Sequence, residues 1–189
     1  MAGVPIKIPA ELFALAESSR FEGEYALDVL RAGPDDYRFD SPLSWSVDVT
    51  NTGSALLVAG TVTGDAVCAC SRCLEDVAHS FKGSVEGYFL IEGGQRANLD
   101  FEDDEEELGE DEFDVLPDDH IIDLAPLLEA ALLVDAPTLP LCREDCAGLC
   151  PQCGANLNEG PCECGPDEAL AEFEREANPF AALADYKFD

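Results

Sequence analysis

The sequence predicts an α+β protein: a mainly antiparallel sheet in the N-terminal half packed by helices, followed by a small cysteine-rich module near the C-terminus. Three observations carry this. Leu43, Trp45, Val47 and Val49 alternate with Ser44, Ser46 and Asp48, the period of a half-buried strand. Leu124, Leu127, Leu128, Ala131 and Leu132 recur at the i, i+3, i+4, i+7, i+8 spacing of an amphipathic helix. Six of the nine cysteines fall between Cys142 and Cys164. At 189 residues and 47% hydrophobic, the chain can bury one core and carry an appended module. Its expected divisions are an N-terminal segment over 1–21, a β-rich core over 22–135, and a cysteine-rich module with C-terminal helices over 136–189.

In the N-terminal segment, Leu12, Phe13 and Leu15 within Ala10–Ala16 suit one or two helical turns. From Glu22 the pattern shortens to a period of two. Tyr25, Leu27 and Val29 alternate until Gly33-Pro34-Asp35 breaks the run, and the strand from Leu43 ends at the turn Asn51-Thr52-Gly53. Ala55–Ala59 and Thr61–Cys68 read as strands around Gly60 and Gly64, and Ser80–Ile91 as a further one through Phe81, Val85, Tyr88 and Phe89. Between them, Cys68, Cys70 and Cys73 sit at a turn. Three thiolates in so short a loop would need a further ligand from elsewhere, such as a C-terminal cysteine. The preferred reading is that Cys68 is a small buried strand residue and Cys70 and Cys73 are structural or idle thiols; for Arg72, one of only ten cations, a nearby carboxylate and a ligand account for it equally well.

Charge is the strongest compositional statement. Forty-one acidic against 10 basic residues give a net charge of -31, a field that repels phosphate backbones and anionic membranes and attracts basic partners. From Asp100 to Asp114, eleven of fifteen residues are acidic, so the span 92–114 is expected to be a solvated loop. Solvated carboxylates lack the burial that raises a catalytic pKa, so no acid–base pair emerges from this run. A helix over 123–134 follows, with Asp123 as N-cap, Pro126 in its first turn and Asp135-Ala136-Pro137 as its stop. Beyond the cysteines, Asp167 is expected to cap a helix through Leu170 and Phe173, and Asn178-Pro179 to open a last one.

Within the module, Cys150-Pro151-Gln152-Cys153-Gly154 is a Cys-x-x-Cys-Gly turn that brings two thiolates to one side of the backbone. Structural zinc needs two more ligands. Cys162 and Cys164 have the better loop, rich in Asn, Gly and Pro, with Cys142 and Cys146 as the alternative pair. The expectation is therefore a zinc-knuckle module. An odd cysteine count and the lack of an N-terminal export pattern argue against a disulfide framework. The C-x3-C-x2-C spacing of Cys146, Cys150 and Cys153 is also that of radical enzymes with an iron–sulfur cluster, but it falls too late in a chain too short for a barrel of about 250 residues.

Taken in order, Cys70-Ser71-Arg72-Cys73-Leu74-Glu75, an acidic insert, Ile122-Asp123-Leu124 opening an apolar helix, and Pro140-Leu141-Cys142 leading into Glu144-Asp145-Cys146-Ala147-Gly148-Leu149-Cys150-Pro151-Gln152-Cys153-Gly154 resemble the bacterial YceD family, the large ribosomal RNA subunit accumulation proteins. The resemblance covers roughly residues 20–185. It implies a cytoplasmic, non-enzymatic factor for synthesis, processing or stability of 23S ribosomal RNA, of a family usually encoded beside the small basic ribosomal protein L32. By position, the characteristic residues would be Cys70, Arg72, Cys73, Leu74 and Glu75. Many members lack the C-terminal cysteines, so metal there is expected to stabilise a module.

Charge and resemblance pull apart at RNA. No basic stripe with interleaved aromatics offers a stacking and phosphate surface, so the expected partner is a basic ribosomal protein, L32 among the candidates, or an assembly factor. No small-molecule substrate and no membrane are expected. Two other classes compete. A zinc-dependent or thiol redox enzyme on Cys70 and Cys73 lacks a βαβ context, and His79 and His120 stand apart from the cysteines. A zinc-ribbon nucleic-acid module has only Arg143 as a cation between Cys142 and Cys164.

Overall fold

The structure, a computed structural model, describes residues 3–91 and 114–164. The acidic span, apart from Asp114, and the two helices expected after Cys164 lie outside the described residues. Nine strands and one α-helix are described: β1 (Pro5–Lys7), β2 (Ser18–Tyr25), β3 (Val29–Ala32), β4 (Asp35–Arg38), β5 (Leu43–Asn51), β6 (Ala55–Ala69), β7 (Asp76–Leu90), β8 (Asp114–Val115), β9 (Ile121–Asp123) and α1 (Ala125–Asp135). The fold is mostly antiparallel sheet with that one helix.

Strand β6 is the axis of the sheet. Along one edge it pairs with β7 over its full length, from Ala55↔Leu90 to Ala69↔Asp76. Its other edge pairs first with β5 and then, at Val67, with Arg38 of β4. Strand β2 extends the sheet beyond β5, β3 beyond β4, and β8 pairs in parallel with the end of β7.

Gly60, expected to separate two strands, and Gly64 lie inside one continuous strand. Position 60 pairs with Val47 and Val85, and a Cβ there would run into the Ser46 carbonyl oxygen and come within 2.6 Å of Val47 Cα. At Gly64 the Leu43 side chain occupies the space a Cβ would take. These glycines mark close strand approach, the second meaning of glycine in a strand. Likewise β7 begins at Asp76, before Ser80. Its partners Ala69 to Ala66 draw in Val77 and His79 through the period-2 face that also carries Phe81 and Val85.

The buried face of the sheet holds Leu43, Trp45, Val47, Val49, Val58, Val62, Phe81 and Val85. Over it lies α1, which buries Ala125, Leu128, Ala131 and Leu132. A notch in β7 admits the helix: a Cβ at Gly83 would stand 2.7 Å from the Ala131 backbone, and one at Gly87 would stand 2.5 Å from Leu127 Cδ1. The helix starts later than the expected 123, because Ile121–Asp123 pairs with β1 as an extended strand. Leu124 takes the N-cap position without a side-chain cap, while Asp123 Oδ1 accepts the N–H groups of Val4 (2.7 Å) and Ala125 (3.1 Å). The N-terminal helical expectation reduces to a single 3₁₀ turn, Ala10–Phe13, with Leu12 buried. Asn51 braces it, donating from Nδ2 to the Leu12 carbonyl at 2.8 Å.

Tyr25 ties β2 to α1, its hydroxyl donating to Glu129 Oε1 at 2.5 Å. Burial, and then the Glu129 carboxylate, push the phenol above its usual 10. A raised folded pKa gives stability that is complete below the unfolded value, about 10, and is lost as pH rises past it. Urea unfolding between pH 9 and 11 is expected to lose stability more steeply in the parent than in Tyr25→Phe; parallel profiles would remove Tyr25 from this role.

Candidate metal centres

Eight of the nine cysteines converge on two places. Cys70, Cys73, Cys142 and Cys146 form one group and Cys150, Cys153, Cys162 and Cys164 the other, with all sulfurs in a group within 4.8 Å of one another. All nine are free thiols. In the first group Cys70 Sγ lies 3.8 Å from Cys146 Sγ, and Cys73 Sγ lies 3.6 Å from Cys142 Sγ. A disulfide would need about 2.05 Å. Four sulfurs at about 2.3 Å around a tetrahedral zinc stand about 3.8 Å apart. The donor set therefore fits a closed, four-thiolate structural site.

The structure places Cys162 and Cys164, rather than Cys142 and Cys146, beside Cys150 and Cys153. It also gives Cys142 and Cys146 other companions, Cys70 and Cys73 at the β6–β7 turn. The alternative that thiols at this turn take a further ligand from the C-terminal cysteines matches this grouping, whose members lie 69 and 76 residues apart in sequence. Cys68 stays apart, buried in β6 among core residues.

Each centre is built on the same turn. At the first, Leu74 N–H donates to Cys70 O at 2.9 Å and Cys70 N–H to Glu75 O at 2.8 Å. At the second, Gly154 N–H donates to Cys150 O and Cys150 N–H to Ala155 O, both at 2.8 Å. The residue after the second cysteine has positive φ in both, 64° at Leu74 and 73° at Gly154. Glycine holds that conformation freely, whereas leucine pays roughly 1–2 kcal/mol for it.

The arm after α1 is stitched to the hairpin tip. Ser71 N–H donates to Pro140 O, and Leu149 N–H to Arg72 O. Of the two readings of Arg72, the carboxylate partner is not found among the described residues: its Nη1 donates to the Cys146 carbonyl at 2.9 Å. Glu75 Oε1 accepts from Asn156 Nδ2 at 2.9 Å. Asn158 Nδ2 reaches Cys146 Sγ at 3.3 Å, while its Oδ1 accepts the Ala147 N–H at 2.8 Å. Sequence reasoning took Asn156 and Asn158 as loop residues only. Their two-residue spacing between the cysteine pairs was the available signal.

Thiol electrostatics divide within each group. Burial pushes the Cys70 thiol up, but the backbone N–H groups of Cys73, Cys142 and Arg72 outweigh it and bring it to about 6. Cys146 is lowered chiefly by Asn158. At Cys73 the Glu75 N–H pulls down, while burial and the neighbouring thiols push it up to about 12. In the second group, the N–H groups of Cys153 and Gln152 lower Cys150 to about 6, and the Cys153 thiol with burial raises Cys164 to about 12. Protein N–H groups thus favour thiolate at one or two sulfurs per site, the form a metal takes.

A β-rich fold whose longest hairpin supplies half of one four-thiol site, closed by an arm that carries a second, defines a protein with two candidate structural metal centres. A sequence model of the family described as "Large ribosomal RNA subunit accumulation protein YceD" matches residues 58–187, and the chain belongs to that family. An uncharacterized protein of Mycobacterium tuberculosis is 33% identical over 119 residues, 63% of this chain and 53% of the relative. One of Mycobacterium leprae is 31% identical over 117 residues, 62% and 50% of the two chains. The Arabidopsis thaliana protein "Large ribosomal RNA subunit accumulation protein YCED homolog 1, chloroplastic" is 27% identical over 150 residues, 70% of this chain and 47% of the relative. The chain spans about half the length of the curated relatives it matches. No solved structure matches it.

Proposed function

We propose that this chain is a non-enzymatic cytoplasmic factor for large ribosomal subunit biogenesis, supporting 23S ribosomal RNA synthesis, processing or stability through a basic ribosomal or assembly protein. The family carries the process, and the net charge of -31 carries the choice of a protein partner over RNA. The solvent face of the sheet agrees with that choice. Across β5, β6 and β7 it reads Ser44, Thr63, Lys82 in one row, Ser46, Thr61, Ser84 in the next, and Asp48, Ala59, Glu86 in a third. A further row is Thr50, Leu57, Tyr88, and a face with one lysine across these rows has little to offer phosphate. No helix among the described residues is long and apolar enough to cross a membrane.

In this reading zinc is structural at both cysteine groups. A bound ion would fix the arm to the hairpin, and each loaded site, four thiolates around a divalent cation, would still carry negative charge. The thiol redox and nucleic-acid alternatives gain no specific support from the geometry.

The test is retention on the immobilised, metal-loaded chain. Total protein of large ribosomal subunits, freed of RNA, is expected to yield basic proteins held at about 0.05 M salt and released by about 0.5 M, as screening of a charge-driven contact requires. Naked 23S fragments are expected to pass through. Tight, salt-dependent binding of the RNA would overturn the proposal.

A further inference from the structure

We propose that Leu74, presented at the β6–β7 turn by the first cysteine group, is the apolar anchor by which this chain holds a basic protein partner. The inference rests on the proposed function, since it supposes that the chain works through such a partner.

The two cysteine turns act as internal controls for each other. Both close through the same pair of backbone hydrogen bonds and both place the following residue at positive φ. At the second turn glycine meets that demand with nothing within 4 Å of a hypothetical Cβ. At the first the same position carries a leucine, a residue that strains the backbone there. Packing does not explain the choice: the Leu74 side chain is 65% exposed and belongs to neither buried cluster, whereas Leu141 and Leu149 cover the thiols of this site. A backbone that prefers glycine and a core that does not use the side chain leave its outward surface as the reason for it.

Its setting selects the partner. Leu139, 54% exposed, immediately precedes Pro140, whose carbonyl receives the Ser71 N–H, so a second apolar side chain stands at this end of the molecule. The sequence neighbours of the turn and of the arm carry four carboxylates, Glu75, Asp76, Glu144 and Asp145, against Arg72 and Arg143 there and Arg38 of β4, on a chain whose net charge is -31. Arg143 pairs with Asp145 and Arg38 with Asp76, while Arg72 donates to the Cys146 carbonyl, so of the four carboxylates Glu75 and Glu144 are without an ion pair among the described residues. An apolar projection on so acidic a chain fits a basic segment bearing an apolar pocket, a hot spot within a polar ring. A second copy would set like charges face to face, and an aliphatic side chain offers RNA no stacking surface.

The experiment compares the full chain with Leu74→Gly and Leu74→Met. A basic protein retained from RNA-free large-subunit protein is identified, purified and titrated against each, alongside zinc content, thermal midpoint and sedimentation. Leu74→Gly is expected to keep its metal, melt no lower than the parent and bind roughly ten- to a hundredfold more weakly, the effect of removing one buried leucine side chain. Leu74→Met is expected to bind within a few-fold of the parent. Equal binding by Leu74→Gly overturns the anchor while leaving the proposed function standing. So does loss of metal or folding in Leu74→Gly, which would make the leucine structural, or a change in self-association, which would make a second copy the occupant. A parent chain that retains no basic protein overturns both proposals together.

Discussion

Replacing Cys70 and Cys73 together by serine is expected to lower bound zinc from two ions per chain to one and to free the arm after α1 from the hairpin. The two groups share no ligand, so the second should keep its ion. The arm is held at the tip by few contacts besides the sulfurs: Ser71 to Pro140, Leu149 to Arg72, Arg72 to Cys146 and to Glu144, Asn156 to Glu75, and the packing of Leu141 and Leu149. A structural zinc contributes on the order of 10 kcal/mol to the folding of the segment it joins, well above what these partly exposed hydrogen bonds supply. Elemental analysis reads the first effect, and hydrogen exchange across 136–149 reads the second. Unchanged metal content, or an arm equally protected in the double variant, would show that the hairpin thiols do not hold the ion. Parent protein with no metal and paired thiols would bring back the disulfide alternative.

Gly60→Val is expected to be the most damaging single substitution in the sheet. The obstacle to a side chain at 60 is backbone, the Ser46 carbonyl and Val47 Cα, with Val47 Cγ1 at 2.8 Å behind them. Backbone in the middle of a paired strand cannot rotate away as a side chain can, so the cost should exceed the 1–3 kcal/mol typical of overpacking. Urea unfolding of Gly60→Val should show this loss, with Gly154→Ala as a comparison in an open turn where only positive φ is at stake. A Gly60→Val protein as stable as its parent would mean that β5 and β6 lie farther apart at this point.

The contrast between Gly60 and Gly154 also marks how far the fold was legible in sequence. Strands with a clean period of two, such as β5, and the apolar stripe of α1 could be read directly, because each encodes its own burial. Gly60 and Gly64 were ambiguous, since a glycine that ends a strand and one that admits a neighbouring backbone look alike in one dimension. Asp123 misled for a related reason: its carboxylate serves the helix start while its backbone is held extended by pairing with Pro5, and only the second strand reveals that. At the cysteine groups, the local set from Cys150 to Cys164 carries its spacing in sequence. The set joining Cys70 and Cys73 to Cys142 and Cys146 does not, because its geometry is a product of where α1 delivers the chain. Arg72 shows the same limit: its engagement with a backbone carbonyl leaves no trace in residue type.

That difference in span gives the two centres an order of assembly. Cys150 to Cys164 closes a short loop, while the other group joins sulfurs separated by 69 and 76 residues. Loop-closure entropy grows with length, so the local group is the easier to close before the sheet is complete. Once closed, its intervening loop already carries Asn158 for Cys146 and Asn156 for Glu75. During synthesis the hairpin thiols are made first and wait longest, reaching their partners only after the helix and arm have emerged. Scarcity of metal would therefore be felt first as a population of chains with a finished sheet and an undocked arm.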